Sequence, residues 1–139
     1  MDISIKIPVR GLPPKKDGAN SIWRRETELA SLKALRTAAV AAMQGRPPYT
    51  TTPLLLTVRI YATPRDGDLD NFISGICDGL VAAHAQTPID PLAWNDLPET
   101  ATPQHPIVFL DDALITKIVA ERLPPIGGAL CYEIEFASL

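Results

Sequence analysis

The sequence predicts a single domain of the α/β (α+β) class, in which one mixed β-sheet carries two helices. Two observations predict this fold. Four stretches are rich in β-branched residues or alternate apolar with polar residues, and two stretches between them repeat apolar residues at helical spacing. The chain has 139 residues, of which 46% are apolar, which is enough for one hydrophobic core. The predicted order of elements is β-α-β-α-β-β over residues 1–139.

The first strand and the first helix are predicted in the N-terminal third of the chain. Residues 3–7 have isoleucine at every second position and predict a strand that ends at Pro8. A loop rich in proline and glycine follows. Asn20 or Ser21 is expected to cap a helix that continues to Met43, after which a glycine and a proline stop it.

The second strand and the second helix lie on either side of an acidic segment. Residues 54–62 contain no glycine or proline and predict a buried central strand. The helical pattern from Asp70 to about Ala83 predicts a second helix, and Asp70 is able to cap its first turn. Gly75 and Gly79 are four residues apart on one face, so we expect a neighbouring strand or helix to approach the helix closely there.

The last third of the chain begins with a long loop. Residues 84–106 contain five prolines and no sustained periodicity, and we interpret them as a loop insertion. In this loop, Trp94 is expected to pack against the core or a partner subunit, with stacking on an unpaired base as the alternative. Residues 114–121 and 129–137 alternate again, and the short turn-rich segment between them predicts a hairpin.

Composition argues against several classes of protein. The first residues alternate apolar and polar side chains, unlike a secretory signal, and no apolar run is long enough to span a bilayer. Cys77 and Cys131 show neither the spacing of metal ligands nor a framework of disulfides. We therefore expect a soluble, cytoplasmic protein that does not interact with membranes.

Charge is distributed unevenly along the chain. The formal net charge is −3, but residues 1–46 contain nine basic residues against four acidic ones, and the remainder is acidic. A basic surface beside an acidic site suits a nuclease, because lysine and arginine bind phosphates while carboxylates bind metal ions. An ordinary solvated surface is the alternative explanation for the same charges.

Two acidic clusters are the candidates for a functional site. Residues 65–71 (RDGDLDN) follow a predicted strand, and Asp111 and Asp112 precede another. Asp68 and Asp70 are two residues apart and can face one pocket from extended backbone, where Asp112 could complete a trio. Three such carboxylates suit Mg²⁺ and metal-assisted phosphodiester hydrolysis. Alternatively, these aspartates serve only as a helix cap, a turn and a bend.

The same residues resemble a known family. The segment Asp68-Leu69-Asp70-Asn71 opens a helix that runs to Cys77-Asp78-Gly79-Leu80, and Leu110-Asp111-Asp112-Ala113 enters a strand. Together with Pro13-Pro14 and the order of elements, this pattern is similar to that of the RusA-type Holliday junction resolvases. The resemblance covers most of the chain outside residues 84–106.

The resemblance implies a homodimer that cuts opposed strands of a four-way DNA junction. Its cofactor would be Mg²⁺, with Mn²⁺ as a substitute. Asp68, Asp70 and Asp112 would be the catalytic metal ligands, and Asp111 an accessory ligand. Candidates for contacts with DNA phosphates are Lys15, Lys16, Arg24, Arg25, Arg65 and Lys117.

The sequence departs from the family pattern at two places. Ser74 stands where the family has a lysine, so Lys15, Lys16 or Lys117 would have to supply that positive charge. The link from the second helix to the Asp-Asp pair is also longer than is typical. We expect a magnesium-dependent, structure-selective endonuclease, with a non-catalytic junction-binding or assembly protein as the alternative.

Overall fold

The computed structural model describes residues 3–18 and 21–139, which form one mixed sheet with helices on one face. The strands are β1 (Ser4–Arg10), β2 (Leu54–Tyr61), β3 (Ile115–Leu123) and β4 (Cys131–Ser138), and the helices are α1 (Leu29–Met43), α2 (Leu69–Leu80) and the single turn α3 (Pro91–Trp94). The strand order is β1-β4-β2-β3. Strand β4 is antiparallel to β1 and β2, whereas β3 is parallel to β2. The predicted fold class is confirmed.

The core lies between the sheet and the two long helices. Alternate residues of β2, from Leu54 to Ile60, are fully buried on the helical side. Leu35 of α1 and Phe72 and Ile76 of α2 are buried against them. The apolar residues of α2 thus form the face that it buries, and no helix of the described residues covers the other face of the sheet.

Strand β1 continues beyond the position where the sequence predicts its end. It runs through Pro8 to Arg10 and pairs with β4 over its whole length. Proline is tolerated here because β1 is an edge strand, and one side of an edge strand needs no hydrogen-bond partner.

The segment before α1 is not the continuous helix that the sequence predicts. The Ser21 hydroxyl accepts a hydrogen bond from the backbone N–H of Trp23 at 3.3 Å, and so caps a 3₁₀ turn. Helix α1 begins only at Leu29 and ends at Met43, as predicted. Asn20, the other predicted cap, lies outside the described residues.

Helix α2 begins one residue earlier than predicted. Its N-cap position is Asp68, and Asp70 lies in the first turn, where its carboxylate accepts a hydrogen bond from the backbone N–H of Asn71 at 3.0 Å. The prediction that Asp70 caps the helix is therefore wrong. The helix ends at Leu80, because the backbone becomes extended at Val81.

The prediction of a C-terminal hairpin is also wrong. Strands β3 and β4 do not pair, since β2 lies between them. The chain passes from β2 through α2 to β3, and a crossover of this kind makes the two strands parallel neighbours. The loop of residues 124–130 is long enough to cross the width of one strand and reach the far side of β2.

The long loop is held against the helices by buried side chains. Trp94 of α3 is 5% exposed, and its ring centroid lies 5.9 Å from that of Trp23. The guanidinium of Arg36, which is fully buried, donates to the carbonyl oxygens of Ala101 and Thr102 at 2.9 and 2.8 Å. The favoured use of Trp94, packing, agrees with this burial.

Candidate functional site

The Asp-x-Asp pair lies at the N-terminal end of α2. Asp68 and Asp70 are both exposed, and the Asp68 side chain makes no capping hydrogen bond with the helix. Carboxylates at a helix N-terminus are stabilised by the helix dipole. The Asp68 carboxylate is thus free of the helix and able to bind a metal ion. The alternative explanation, that this aspartate serves only as a helix cap, does not fit Asp68.

The turn before this pair has a structural role of its own. The Asp66 carboxylate accepts hydrogen bonds from the backbone N–H and the hydroxyl of Thr63, at 2.7 and 2.9 Å. Gly67 has φ +152°, and a Cβ there would come within 2.7 Å of the Phe72 ring. For Asp66 and Gly67, therefore, the turn explanation is the correct one.

A basic loop crosses α2 beside the carboxylates. The helix can come this close because a Cβ at Gly75 would lie only 1.8 Å from the carbonyl oxygen of Pro14. The backbone N–H of Lys16 donates to the carbonyl of Asn71 at 3.1 Å, and its Nζ lies 3.3 Å from the Asp78 carboxylate. The close approach predicted from the glycines is confirmed: the neighbour is a loop at Gly75 and helix α1 at Gly79, where a Cβ would lie 3.0 Å from the Leu35 side chain.

Arg122 is a site residue that the sequence analysis missed. It lies near the end of β3, on the face of the sheet that the helices cover, where it is aligned with the buried Ile60 of β2. Its Nη2 donates to the carbonyl oxygen of Gly67 at 2.5 Å. The Lys15 side chain also reaches Gly67. Both bring positive charge to the turn before Asp68. Strand periodicity shows which face Arg122 occupies, but it does not show which turn the side chain reaches.

Asp112 does not join Asp68 and Asp70 within one protomer. Strands β2 and β3 are parallel and aligned along their length, so the residues just before β3 lie at the end of the sheet where β2 begins. Asp68 and Asp70 follow the other end of β2. Helix α2 spans the distance between these ends, about 18 Å for its 12 residues. The predicted trio is therefore divided between the two ends of α2.

Asp112 instead belongs to a second acidic group, formed by Asp78, Asp111 and Asp112. This group lies at the C-terminal end of α2 and is called the C-terminal cluster. Partial burial raises the pKa of Asp112, and a hydrogen bond with Asp111, the charge of Asp111 and the charge of Asp78 raise it further. Burial also raises the pKa of the Cys77 thiol to about 12, with further contributions from Asp112 and Asp78. Negative charge is crowded here, which favours binding of a proton or a cation.

For two members of this cluster, the structure adds a role that the sequence did not predict. Asp111 caps the short turn before β3, because its Oδ1 accepts a hydrogen bond from the backbone N–H of Ala113 at 2.9 Å. Its predicted role as an accessory ligand thus competes with a structural role. Asp78 was not among the predicted ligands, although Asp70, Ser74 and Asp78 share one face of α2 by their spacing of four.

The remaining candidates for phosphate contacts are dispersed. Arg24 is exposed beside the cavity that borders the last turn of α2. Arg25 forms an ion pair with Asp17 at 3.3 Å, and Arg65 is exposed in the turn after β2. Lys117 lies on the opposite, open face of the sheet, since it aligns with Leu55 and not with its buried neighbours. Lys117 therefore does not supply positive charge to α2.

The carboxylates form two groups and not a single metal centre. Among residues 3–18 and 21–139, no three His, Cys, Asp or Glu side chains are arranged to hold a metal ion. Magnesium, however, is usually held by one or two carboxylates together with water and substrate phosphate. The exposed pair of Asp68 and Asp70 fits that requirement, and so does the C-terminal cluster.

Comparison with known proteins does not indicate a function for this chain. The chain matches no protein-family model and no curated protein. Within the part of the chain that the structure describes, every helix is too short or too polar to cross a membrane. The chemistry of the two carboxylate groups and their basic neighbours is thus the basis for assigning a function.

Proposed function

We propose that this protein is a magnesium-dependent endodeoxyribonuclease that acts on branched DNA, as RusA-type resolvases act on four-way junctions in recombination and repair. The supporting observation is the position of the loop that crosses α2, which sets the Lys15 side chain against the turn before the exposed Asp68 and Asp70. Carboxylates alone repel a phosphate backbone. Basic side chains next to them, here Lys15 and Arg122, attract it, and this combination suits metal-assisted cleavage of DNA.

The proposed roles follow from these positions. Asp68 and Asp70 would hold Mg²⁺ or Mn²⁺ at the N-terminal end of α2. Asp112, together with Asp111, would hold a metal ion at the C-terminal cluster. Bound metal supplies charge neutralisation at the scissile phosphate and lowers the pKa of a water molecule. Lys15 and Arg122, which both reach the turn before Asp68, would orient the phosphate.

A homodimer in the cytoplasm is part of this proposal. A four-way junction presents two opposed strands, and two copies related by a two-fold axis would present two equivalent sites to it.

A junction-binding protein without cleavage activity is the second candidate. It is favoured by the division of Asp112 from Asp68 and Asp70 between the two ends of α2. It is also favoured by Ser74, which replaces the lysine of the family pattern, and by the ion pair that engages Lys16 with Asp78.

The test incubates the full chain with labelled four-way junctions, flaps and linear duplex, with and without Mg²⁺. A nuclease would cut branched DNA in the presence of Mg²⁺ and leave linear duplex intact. A binding protein would retain salt-dependent affinity for the junction and leave it uncut in Mg²⁺ and in Mn²⁺. Absence of any preference for branched DNA would contradict both candidates.

Asp70→Asn is the variant that tests the metal site. We expect it to abolish cleavage but to preserve or slightly strengthen junction binding, because it removes a ligand and a negative charge beside the phosphate. Asp66→Asn is the matched control, since it makes the same change in a carboxylate that closes a turn. A folded Asp70→Asn protein that loses binding and cleavage together would contradict a ligand role.

A further inference from the structure

Strand β3 is an unpaired edge of the sheet with apolar residues on it. Among the described strands it is paired with β2 alone. It is regular from Lys117 to Leu123 and contains no proline. Ile118 and Val119 are 47% and 48% exposed. An edge of this kind offers unpaired backbone N–H and C=O groups to another strand, and its apolar residues favour contact.

The opposite edge of the sheet is protected against such pairing. Strand β1 has Pro8 in its middle, which removes a hydrogen-bond donor. Its charged residues, Lys6 and Arg10, are both basic, and they lie two residues on either side of Pro8. Two β1 strands paired about Pro8 would set these like charges opposite one another. The two edges of the sheet thus differ in whether they can accept a copy of themselves.

We propose that β3 pairs antiparallel with β3 of a second copy of this chain, with Val119 at the two-fold axis. Lys117 and Glu121 lie two residues on either side of Val119, and both are exposed on the open face of the sheet. In this register each Lys117 lies opposite Glu121 of the partner subunit, so two pairs of opposite charge flank the axis.

The charges select this register over its neighbours. A shift that moves the axis by one residue sets Lys117 opposite Val119 or Leu123 of the partner subunit, so both pairs across the axis are lost, while Glu121 retains its ion pair with Arg59 of its own chain at 3.1 Å. With the axis at Val119, Ile118 lies opposite Ala120 of the partner subunit on the helical face. The two sheets then become one, with the helices of both copies on the same side.

The interface rests on the edge strand and the charges, not on the proposed nuclease activity. The β3 edge is the surface through which the proposed homodimer forms. Cleavage and association are measured separately, so a failure of one proposal does not imply a failure of the other.

Sedimentation equilibrium of the full chain tests the interface. We expect the unmodified chain to dimerise, and Lys117→Glu to raise the dimer Kd about tenfold, because glutamate then faces Glu121 of the partner subunit twice. Glu121→Lys should also raise the Kd, although it additionally removes the ion pair of Glu121 with Arg59 of its own chain. The double variant Lys117→Glu/Glu121→Lys exchanges the charges across the axis and should lower the Kd below that of either single variant, which a folding defect would not allow. Lys6→Glu on β1 is the control and should leave the Kd unchanged.

Two results would overturn the proposal. One is a monomer at every accessible concentration. The other is a dimer whose Kd is the same in the unmodified chain and in both single variants, which would assign the interface to another surface and leave the proposed nuclease function unaffected.

Discussion

At the scale of single residues, the guanidinium of Arg36 connects α1, the end of α2 and the long loop. It donates to the carbonyl oxygens of Gly79 at 2.7 Å and Val81 at 3.1 Å, in addition to those of Ala101, Thr102 and His105. Burial lowers its pKa to about 10, so the side chain stays charged at neutral pH. The carbonyls at the end of α2 carry the negative end of the helix dipole and offset part of that charge.

Replacing Arg36 with methionine should therefore lower the free energy of unfolding substantially. The substitution leaves five carbonyls without their donor, several of them buried, and we expect a loss of about 3 kcal/mol or more. Urea denaturation measures it. Lys33→Met, on the same helix, is the control, because Lys33 forms an exposed ion pair with Asp96. Equal losses in the two variants would contradict a special role for Arg36.

Asp112 makes stability depend on pH. Its pKa is raised by partial burial and by Asp111, so the folded state holds the proton more tightly than the unfolded state. Stability should then fall as pH rises from the usual carboxyl range through the raised pKa, and stay lower above it. In EDTA at pH 7, we expect Asp112→Asn to raise the melting temperature, with a gain that shrinks as the pH falls below the usual carboxyl pKa.

Asp96→Asn is a control of opposite sign for this measurement. A hydrogen bond from Lys33 lowers the pKa of Asp96, so its carboxylate contributes stability above the usual carboxyl pKa. The asparagine variant should therefore melt slightly lower at pH 7. A lower melting temperature for Asp112→Asn as well would show that Asp112 is stabilising in the folded protein.

At the scale of elements, α2 is shaped by the loop that crosses it. Gly75→Ala would raise helix propensity by about 1 kcal/mol in an exposed helix. Here the new Cβ would meet the backbone of Pro14, so we expect a lower melting temperature instead. Ser74→Ala, at the exposed neighbouring position, should be neutral or slightly stabilising. A more stable Gly75→Ala protein would mean that the loop does not press on the helix.

The elements themselves could be predicted because their signals are local. The alternation in residues 3–7 and the apolar run of residues 54–62 predicted β1 and β2, and the spacing of apolar residues predicted α1 and α2. The ends were less accurate where tertiary contacts decide them. Pro8 stays within β1 because that strand lies at an edge, and Val81 leaves the helix near the buried Arg36.

At the scale of the whole molecule, the arrangement of elements could not be predicted from periodicity. Whether β3 pairs with β4 or with β2 depends on which strand occupies the centre, and no local pattern reports this. The pairing of β3 also determines which carboxylates come together in the candidate site. With β3 parallel to β2, Asp112 lies by Asp78, whereas the sequence placed it with Asp68 and Asp70.

Cys77 offers a measure of the opening of the whole fold. Its thiol is buried in the core and burial raises its pKa to about 12, so the folded protein contains almost no reactive thiolate at pH 8. In a Cys131→Ser background, we expect iodoacetamide to label Cys77 only as the protein unfolds, with a rate that rises with urea. Rapid labelling without denaturant would indicate that the region around α2 opens independently of the rest.

The central position of β4 has a consequence for the synthesis of the protein. Strand β4 is the last of the four strands to leave the ribosome, yet β1 and β2 are joined in the sheet only through it. Until it emerges, β1 has no neighbour and the apolar sides of β1 and β2 remain uncovered by the completed sheet. We therefore expect the sheet to close only after β4 has emerged, and the uncovered apolar strands to be prone to aggregation until then.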